Sequence, residues 1–210
     1  MTADTDRPDP TGTGAEAPTT DGRVQRGERT RAAIVAALLE KLNDGAYNPT
    51  AQEIATAAGV SVRSIFQHFD DMEALFGELV RAQAERVQPL IEAIDADGSF
   101  EQRLDAIASQ RSTLYERITP IRRAIGNRVH SSPAIASRLS ALAAILRQQT
   151  ATQFAPELDR LAAADHPDQV LDAVELLWSY DAWERLRSTQ SLSVDQAVAT
   201  LRLATARVLG

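Results

Sequence analysis

The sequence predicts an all-α protein of about nine helices, and three observations lead to this prediction. Hydrophobic residues make up 44% of the 210-residue chain but aromatic residues only 5%, and the abundant alanine and leucine lose little side-chain entropy in a helix. Apolar residues recur every three or four positions through most of the chain, which is the period of a helix with one buried face. Glycine and proline cluster between these segments, and no segment has the pattern of a strand or of an internal repeat.

The first segment is polar, and three predicted helices follow it. Residues 1–22 are rich in Thr, Asp, Pro and Gly with almost nothing large and apolar, which predicts a disordered acidic tail. The first helix follows Gly27 and has an apolar residue at every fourth position, namely Ile34, Leu38 and Leu42. A capping-box pattern of Thr50 and Glu53 begins the second helix, which ends at Gly59. Ser61 is placed to cap a third short helix that runs towards His68.

Six further helices are predicted from residue 70 onwards. Their starts carry acidic, serine or proline residues that suit a helix N-terminus, and Pro89 is expected to end or kink the fourth. Pro120 is expected to separate the fifth helix from the sixth, and a short piece around Leu158 and Leu161 precedes the eighth. The predicted starts are Asp70-Asp71, Phe100, Pro120, Ser132-Pro133, His166-Pro167 and Ser193.

Several classes of protein are excluded or disfavoured by composition. The chain contains no cysteine, so disulfide frameworks and cysteine-ligated metals are excluded and a reducing cytoplasm is expected. No apolar run approaches the roughly 20 residues that cross a bilayer, and the start MTADTDRPDP lacks the features of a signal peptide. The 21 arginines against the single Lys41 are typical of a GC-rich bacterium.

The net charge of -7 hides a basic segment. Residues 22–69 contain six basic residues against four acidic ones, whereas the rest of the chain is acidic. A local basic face suffices to bind nucleic acid even when the whole chain is acidic.

Residues 50–69, TAQEIATAAGVSVRSIFQHF, are the informative stretch. They predict two short helices joined by a glycine turn, so that the first helix braces the second in a major groove. Ile65 and Phe69 suit the packing side of the second helix, with Phe66 at its edge. The side chains left to face outwards are Ser61, Val62, Arg63, Ser64, Gln67 and His68.

This N-terminal pattern resembles that of the TetR family of regulators. The matching positions are Gly45, Thr50, Ile54-Ala55, Ala58-Gly59-Val60-Ser61, Phe66-Gln67-His68-Phe69 and Glu73-Ala74-Leu75. The match covers about residues 27–76; beyond it only length and helix count agree. The resemblance implies a three-helix DNA-binding domain at 23–70 and a helical domain for ligand binding and dimerisation at 71–210.

The resemblance also implies roles in binding double-stranded DNA. Thr50 would contact a phosphate, and Arg63 is the best candidate to read a base because a guanidinium bridges guanine O6 and N7. Phe66 stands where the family often has tyrosine, and Met72 where it usually has a phosphate-binding lysine. The full predicted DNA-binding set is Thr50, Ser61, Arg63, Ser64, Phe66, Gln67, His68 and Arg29, with Arg23 and Arg26 as further phosphate contacts.

By the same resemblance the chain is expected to be a homodimeric repressor of a palindromic operator in the bacterial cytoplasm, released by a small-molecule effector. The expected effector contacts are Arg111, Tyr115, Leu146 and Trp178. The expected dimer contacts, in the last two helices, are Val174, Trp178, Trp183, Leu201 and Val208. No cofactor or metal is implied.

Two alternatives stay open at this stage. An enzyme is disfavoured, because His130-Ser131-Ser132 reads as a helix end followed by a cap, and neighbours along a chain rarely have triad geometry. Three histidines without cysteine give no metal-ligand spacing. The second alternative is a helical protein-interaction module whose DNA binding has degenerated, which the methionine at position 72 favours.

Overall fold

The computed structural model describes residues 20–126, 128–162 and 167–210, and throughout these ranges the regular structure is helical. The helices are α1 (Thr20–Asn43), α2 (Ala51–Ala58), α3 (Val62–His68), α4 (Met72–Val87), α5 (Phe100–Ile125), α6 (Arg128–Ser131), α7 (Pro133–Gln153), α8 (Ala155–Ala162), α9 (Pro167–Leu177), α10 (Tyr180–Glu184) and α11 (Val194–Leu209). A 3-10 turn, Gln88–Ile91, follows α4, and a π-helical turn, Arg185–Thr189, follows α10. The all-α prediction is confirmed. In the part of the chain described, no helix has the length and apolar character needed to cross a membrane.

The N-terminal helices close around one hydrophobic core. Its buried side chains come from α1, α2, α3 and α4, and further members come from the end of α5 and the start of α7. Ile34 and Leu38 of α1, Ile54 of α2 and Ile65 of α3 have no exposed surface. Residues of α4 share this core with residues of α1, α2 and α3, and the domain boundary at residue 70 stays a prediction.

A second core lies among the C-terminal helices. It joins α5 to α7, α9 and α11 and contains Tyr115, Phe154, Trp178 and Trp183. Tyr115 lies edge-on to Tyr180, with ring centroids 5.9 Å apart, which is a favoured aromatic geometry. Large aromatic side chains thus fill the space between helices that are otherwise rich in alanine and leucine.

Helix α5 corrects the prediction that Pro120 separates two helices. The helix runs without interruption from Phe100 to Ile125 with Pro120 inside it. A proline removes only its own N–H bond and crowds the carbonyl of the preceding turn, at a cost of about 3 kcal/mol. Burial on both sides of the proline offsets that cost, since Leu114 and Ile118 precede it and Ile121 and Ile125 follow it in the two cores.

Other boundaries differ by smaller amounts. Helix α1 begins at Thr20 rather than after Gly27, and the rest of the predicted tail lies outside the described residues. The predicted eighth helix ends at Leu177, because the side chain of Ser179 accepts a hydrogen bond from Ala182 N and starts α10. Pro89 lies in the 3-10 turn after α4, so the prediction that it ends the fourth helix is confirmed.

A buried ion pair joins α5 to α8. The Arg103 guanidinium donates from Nη1 and Nη2 to the two carboxylate oxygens of Glu157, at 2.8 and 2.6 Å, and both residues are buried. Hydrogen bonds from Arg103 hold the pKa of Glu157 below its usual value. Arg103 also donates to the backbone oxygen of Gln153 at the end of α7. One guanidinium therefore links α5 to both α7 and α8.

Replacement of Gly59 by alanine is expected to lower stability by about 1 kcal/mol, because Gly59 adopts a left-handed conformation (φ 67°) that alanine resists. Gly77 lies inside α4 with nothing within 4 Å of an added Cβ, so Gly77→Ala is the matched control and is expected to raise stability by roughly 0.5–1 kcal/mol. Chemical denaturation of both variants measures the two effects. Equal changes in the free energy of unfolding in the two variants would contradict the explanation from the left-handed conformation of Gly59.

Arg103→Met is expected to destabilise the protein by about 3–5 kcal/mol at neutral pH, because it leaves the Glu157 carboxylate buried without its partner. The control Arg81→Met breaks an ion pair with Glu78 at a far more exposed guanidinium and is expected to change stability much less.

The pH dependence follows from the lowered pKa of Glu157. A carboxylate with a depressed folded-state pKa stabilises the fold above its unfolded pKa, and this contribution is lost as pH falls through the folded pKa. The difference in the free energy of unfolding between wild type and Arg103→Met should therefore become smaller as pH falls below 4.5, the ordinary pKa of a glutamate. A difference that stays constant down to pH 3 would show that packing, not charge, accounts for the loss.

Candidate nucleic-acid interface and ligand cleft

The start of α2 is built by a reciprocal cap, as its sequence predicts. Thr50 Oγ1 accepts a hydrogen bond from Glu53 N at 3.3 Å, and Glu53 Oε2 accepts from Thr50 N at 2.7 Å. The hydrogen bonds that the Thr50 N–H and hydroxyl donate to the Glu53 carboxylate lower its pKa, and the bond from the N–H is the largest cause. The Thr50 hydroxyl itself donates to Glu53 at 2.8 Å. The hydroxyl proton is thus directed at Glu53, and a phosphate at this position would meet the positive end of a helix.

A tight turn then sets α3 against α2. Gly59 donates its N–H to the carbonyls of Ala55 and Thr56 and ends α2, and Ser61 Oγ accepts from Ser64 N at 3.1 Å to begin α3. Ile65 is buried and Phe69 nearly so, so the underside of α3 is fixed on the N-terminal core. The geometry is that of a helix-turn-helix, in which the first helix braces the second.

The outer face of α3 carries the predicted recognition residues. Ser61, Arg63 and Gln67 are exposed, and Ser64 and His68 are half-buried. Phe66 is 47% exposed, which agrees with its predicted place at the edge of the packing side. The structure thus brings together on one short helix the residues that the sequence singles out, with Thr50 at the start of the bracing helix.

Arg31 of α1, which sequence reasoning missed, holds α3 from behind. Its Nη1 donates to the backbone oxygen of His68 at 2.6 Å, and its guanidinium lies 4.3 Å from the centroid of the Phe69 ring. Its Nη2 lies 3.4 Å from Glu78 of α4. One signal was present in the sequence, because Arg31 stands one helical turn before Ile34 on the inward face of α1.

Helix α1 also carries an outward row of arginines. Arg23, Arg26 and Arg29 are exposed and spaced three residues apart on its N-terminal half. A Cβ added to Gly27 would lie 3.8 Å from His68 Cε1, so this half of α1 passes beside the end of α3. The predicted contact residue Arg29 therefore lies on the helix next to the recognition helix.

Met72, the departure from the expected lysine, has a packing role. It is half-buried against the N-terminal core, while the neighbouring Asp71 caps α4 by accepting a hydrogen bond from Ala74 N at 2.7 Å. The first turn of α4 is thus occupied by an apolar contact and a carboxylate cap.

The four predicted effector contacts line one cleft. Arg111, Tyr115, Leu146 and Trp178 all border a cleft of about 730 Å3 between α5, α7, α9 and α10, a volume in the range of small-molecule sites. Tyr115 donates from its hydroxyl to the backbone oxygen of Trp178, and Trp178 Nε1 donates to Thr205 Oγ1 at 2.9 Å. Burial raises the pKa of Tyr115 to about 12, so the phenol stays neutral at physiological pH.

Arg111 is the most buried charged residue of this cleft, with no exposed surface. Its acceptors are all neutral: Gln149 Oε1 at 2.9 Å, Leu146 O at 2.8 Å, Thr150 Oγ1 at 3.5 Å and, from Nη1, Gln110 Oε1. Burial lowers the pKa of the guanidinium because it disfavours the charged form.

The predicted dimer contacts lie mainly inside the subunit, which corrects where the sequence places them. Val174, Trp178, Trp183 and Leu201 are buried in the C-terminal core and Val208 is half-buried against it. Helical periodicity identifies an apolar face but not whether the same subunit covers it. The exposed large apolar residues of α9 and α11 are instead Leu176 and Leu203, at 66% and 61% exposure.

The two serines considered for catalysis have structural roles. Ser131 Oγ donates to Arg128 O, and Ser132 caps α7. His166, predicted to start a helix, lies outside the described residues. No group of three His, Asp or Glu side chains suited to a metal occurs among residues 20–126, 128–162 and 167–210.

Comparisons with known proteins agree with this geometry. The family model for bacterial regulatory proteins of the tetR family matches residues 34–79, and a search of curated proteins finds no match. The fold is similar to that of a putative TetR-family transcriptional regulator from Mesorhizobium loti (TM-score 0.56, 20% identity, covering 88% of this chain and 96% of that one). It is also similar to that of a transcriptional regulator from Rhodococcus sp. Rha1 (TM-score 0.56, 18% identity, covering 87% of this chain and 95% of that one). A third similar structure is a TetR-family transcription regulator from Marinobacter aquaeolei (TM-score 0.51, 19% identity, covering 86% of this chain and 97% of that one).

The helix-turn-helix and the helices that follow it are arranged as in helical DNA-binding regulators of transcription. Residues 34–79, from α1 to α4, match the model of the tetR family of bacterial regulatory proteins, and the fold is similar to that of solved regulators of this family. Regulators of this family are generally not enzymes.

Proposed function

We propose that this chain is a homodimeric repressor of the bacterial cytoplasm, which binds a palindromic operator and is released from it by a small molecule. The single observation that carries the proposal is the outer face of α3. There Arg63 and Gln67 are exposed on a short helix that α2, the N-terminal core and Arg31 hold in place. A recognition helix needs this combination of a free outer face and a fixed position.

Within this proposal the contacts to DNA divide by chemistry. Arg63 reads a base edge, assisted by Ser61, Ser64 and Gln67, and Phe66 makes an apolar contact at the groove edge. Thr50 and His68 approach the phosphate backbone, and Arg29 adds charge with Arg23 and Arg26. These three arginines supply the non-specific, salt-dependent part of the affinity, in place of the lysine that Met72 replaces.

Release by a small molecule requires that the cleft and α3 be coupled. Helix α4 follows α3 directly and packs on α1, α5 and α7. Its residues Val80, Gln83 and Val87 line an apolar groove of about 200 Å3 against α5 and α7. A ligand that binds better when α4 lies in one position shifts the population towards that position, and with it the orientation of α3.

Dimer formation is proposed to use the exposed face of the last helices. Leu176 and Leu203 lie on α9 and α11, which pack against each other. Burial of either leucine in a partner would remove its apolar surface from water, which is favourable. A two-fold dimer presents two copies of α3, so its operator would be a palindrome with half-sites about 34 Å apart or a multiple of that distance.

The proposal is tested first by incubating the purified chain with genomic or random DNA fragments, recovering the bound ones and sequencing them. Enrichment of a palindrome supports a dimeric regulator. Recovery of no sequence at low salt would overturn the proposal and favour a helical protein-interaction module, consistent with Met72 in place of a phosphate-binding lysine.

Arg63→Ala is expected to weaken binding of the recovered operator by roughly 1–3 kcal/mol and to relax preference at one base position, because a bidentate base contact is lost. Arg29→Ala is the matched control: the same charge is removed beside α3, so affinity should fall for all sequences and the salt slope should decrease by about one. Fluorescence anisotropy across a salt series separates the two effects. Identical behaviour of the two variants would exclude Arg63 as the base-reading residue.

Leu203→Glu is expected to weaken the dimer by about tenfold or more, because the exposed leucine of α11 would be replaced by a charge that the interface must desolvate. Val24→Glu is the control, since Val24 is 54% exposed on α1, away from the last two helices. Analytical ultracentrifugation over a concentration series gives the dimer dissociation constants. An unchanged constant for Leu203→Glu would place the interface elsewhere.

A further inference from the structure

Helix α5 buries two arginines that differ in their partners. Arg103 is paired with both oxygens of Glu157, whereas Arg111, two helical turns later on α5, has only neutral oxygen acceptors. Within the described ranges, no hydrogen-bond partner is found for Arg111 Nε. A buried charge is normally paired, since an unpaired one costs several kcal/mol. Arg111 is therefore a cation built into the wall of the cleft without its counter-ion.

The other charged groups of the cleft do not neutralise the charge of Arg111. Three arginines (Arg111, Arg122 and Arg185) and two carboxylates (Glu175 and Asp181) line it, so a single positive charge is in excess. Arg122 lies 3.9 Å from Asp181 and stacks 4.4 Å over the Tyr180 ring. Burial lowers the pKa of Arg111, and the charge of Glu175 opposes this only in part. Among the described residues Glu175 forms no ion pair with the guanidinium.

Beyond Arg111 the surface becomes mostly apolar, with Arg122 bordering both cavities and the exposed Arg138 bordering the groove. Ile118, Leu139 and Leu142 border both the cleft and the groove under α4, so the two cavities meet along α5 and α7. The groove continues past Val80, Val87, Ile91, Ile121, Ile125 and Ile145. An occupant of both cavities would therefore carry an anionic group at one end and a hydrocarbon body at the other.

We propose that the effector is an amphipathic monocarboxylate whose carboxylate binds Arg111 and whose apolar body follows Leu142 and Ile118 into the groove under α4. This inference rests on the proposed function, because it names the class of molecule that would release the operator. The carboxylate supplies the missing counter-ion, and charge-assisted bonds of a guanidinium to a carboxylate are about twice as strong as neutral ones. The single excess charge selects a monoanion over a dianion.

The first test compares three probes with the same ten-carbon chain on the full-length wild-type protein: decanoate, its methyl ester and decyltrimethylammonium. Isothermal titration calorimetry without DNA measures binding. Decanoate is expected to bind about tenfold or more tightly than the ester, because an ion pair with the buried guanidinium is made only by the acid. Weaker or equal binding of decanoate relative to either other probe overturns the inference, as does the absence of binding by all three.

The second test uses Arg111→Met, which keeps the length of the side chain and removes its charge. The preference for decanoate over the ester should disappear, while the affinity for the ester itself is retained. Arg185→Met is the matched control, since it removes the same charge from an exposed residue on the rim of the cleft and should leave the preference intact. Loss of the preference in both variants would assign it to the general charge of the cleft and overturn the role of Arg111.

Release of DNA is measured separately, so that failure of this inference is distinct from failure of the proposed function. Decanoate should release the recovered operator from the wild type, and the ester should not. If fragments bind but no carboxylate shows the Arg111-dependent preference, the regulator stands and the effector class is wrong. If carboxylates bind through Arg111 but no DNA sequence is recovered, the effector class stands and the proposed repressor is wrong.

Discussion

Helix α5 packs against both hydrophobic cores, and the arrangement of the remaining helices depends on this shared packing. Its first turns bury Leu104 and Ile107 among the C-terminal helices, and its last turns bury Ile121 and Ile125 among the N-terminal ones. Because the helix continues through Pro120, it links the two cores as a rigid element of the kind that carries coupling between distant sites. The orientation of the helix-turn-helix relative to the cleft therefore depends on α5 together with α4, which packs on α1, α5 and α7.

The recognition helix depends on its surroundings to an unusual degree. Helix α3 has seven residues, far fewer than the roughly 12–15 that an isolated helix needs in water. Three contacts supply the stability that helix propensity alone cannot give it. They are the cap at Ser61, the burial of Ile65 and the hydrogen bond from Arg31 to the carbonyl of His68. All of these contacts lie on the inner side, so the outer face is free to vary in sequence without loss of the fold.

Sequence reasoning was sufficient where the determinants are local and insufficient where they are tertiary. The Thr50 cap, the helix end at Gly59 and the Ser61 cap involve neighbours along the chain, and all three were predicted at the right residues. The break expected at Pro120 was wrong because packing overrides helix propensity. The Arg103–Glu157 pair joins residues far apart in sequence and leaves no local signal.

Helical periodicity located the apolar faces of the last helices but could not tell a subunit core from a dimer surface. The four cleft residues were brought together as expected, since Arg111 and Tyr115 share one face of α5; their contact with an effector stays a proposal.

Because its surroundings are neutral, Arg111 lowers the stability of the fold, while the proposed binding of an effector depends on the same residue. A hydrocarbon side chain of similar volume in that wall would spare the protein the desolvation of an unpaired guanidinium, and such replacements often stabilise a fold. Directed evolution for heat resistance alone would therefore tend to discard the arginine, as it discards strained or charged groups kept for activity in other proteins. Thermostable descendants of this chain would then keep their fold and their helix-turn-helix but lose the guanidinium that the proposed effector would need.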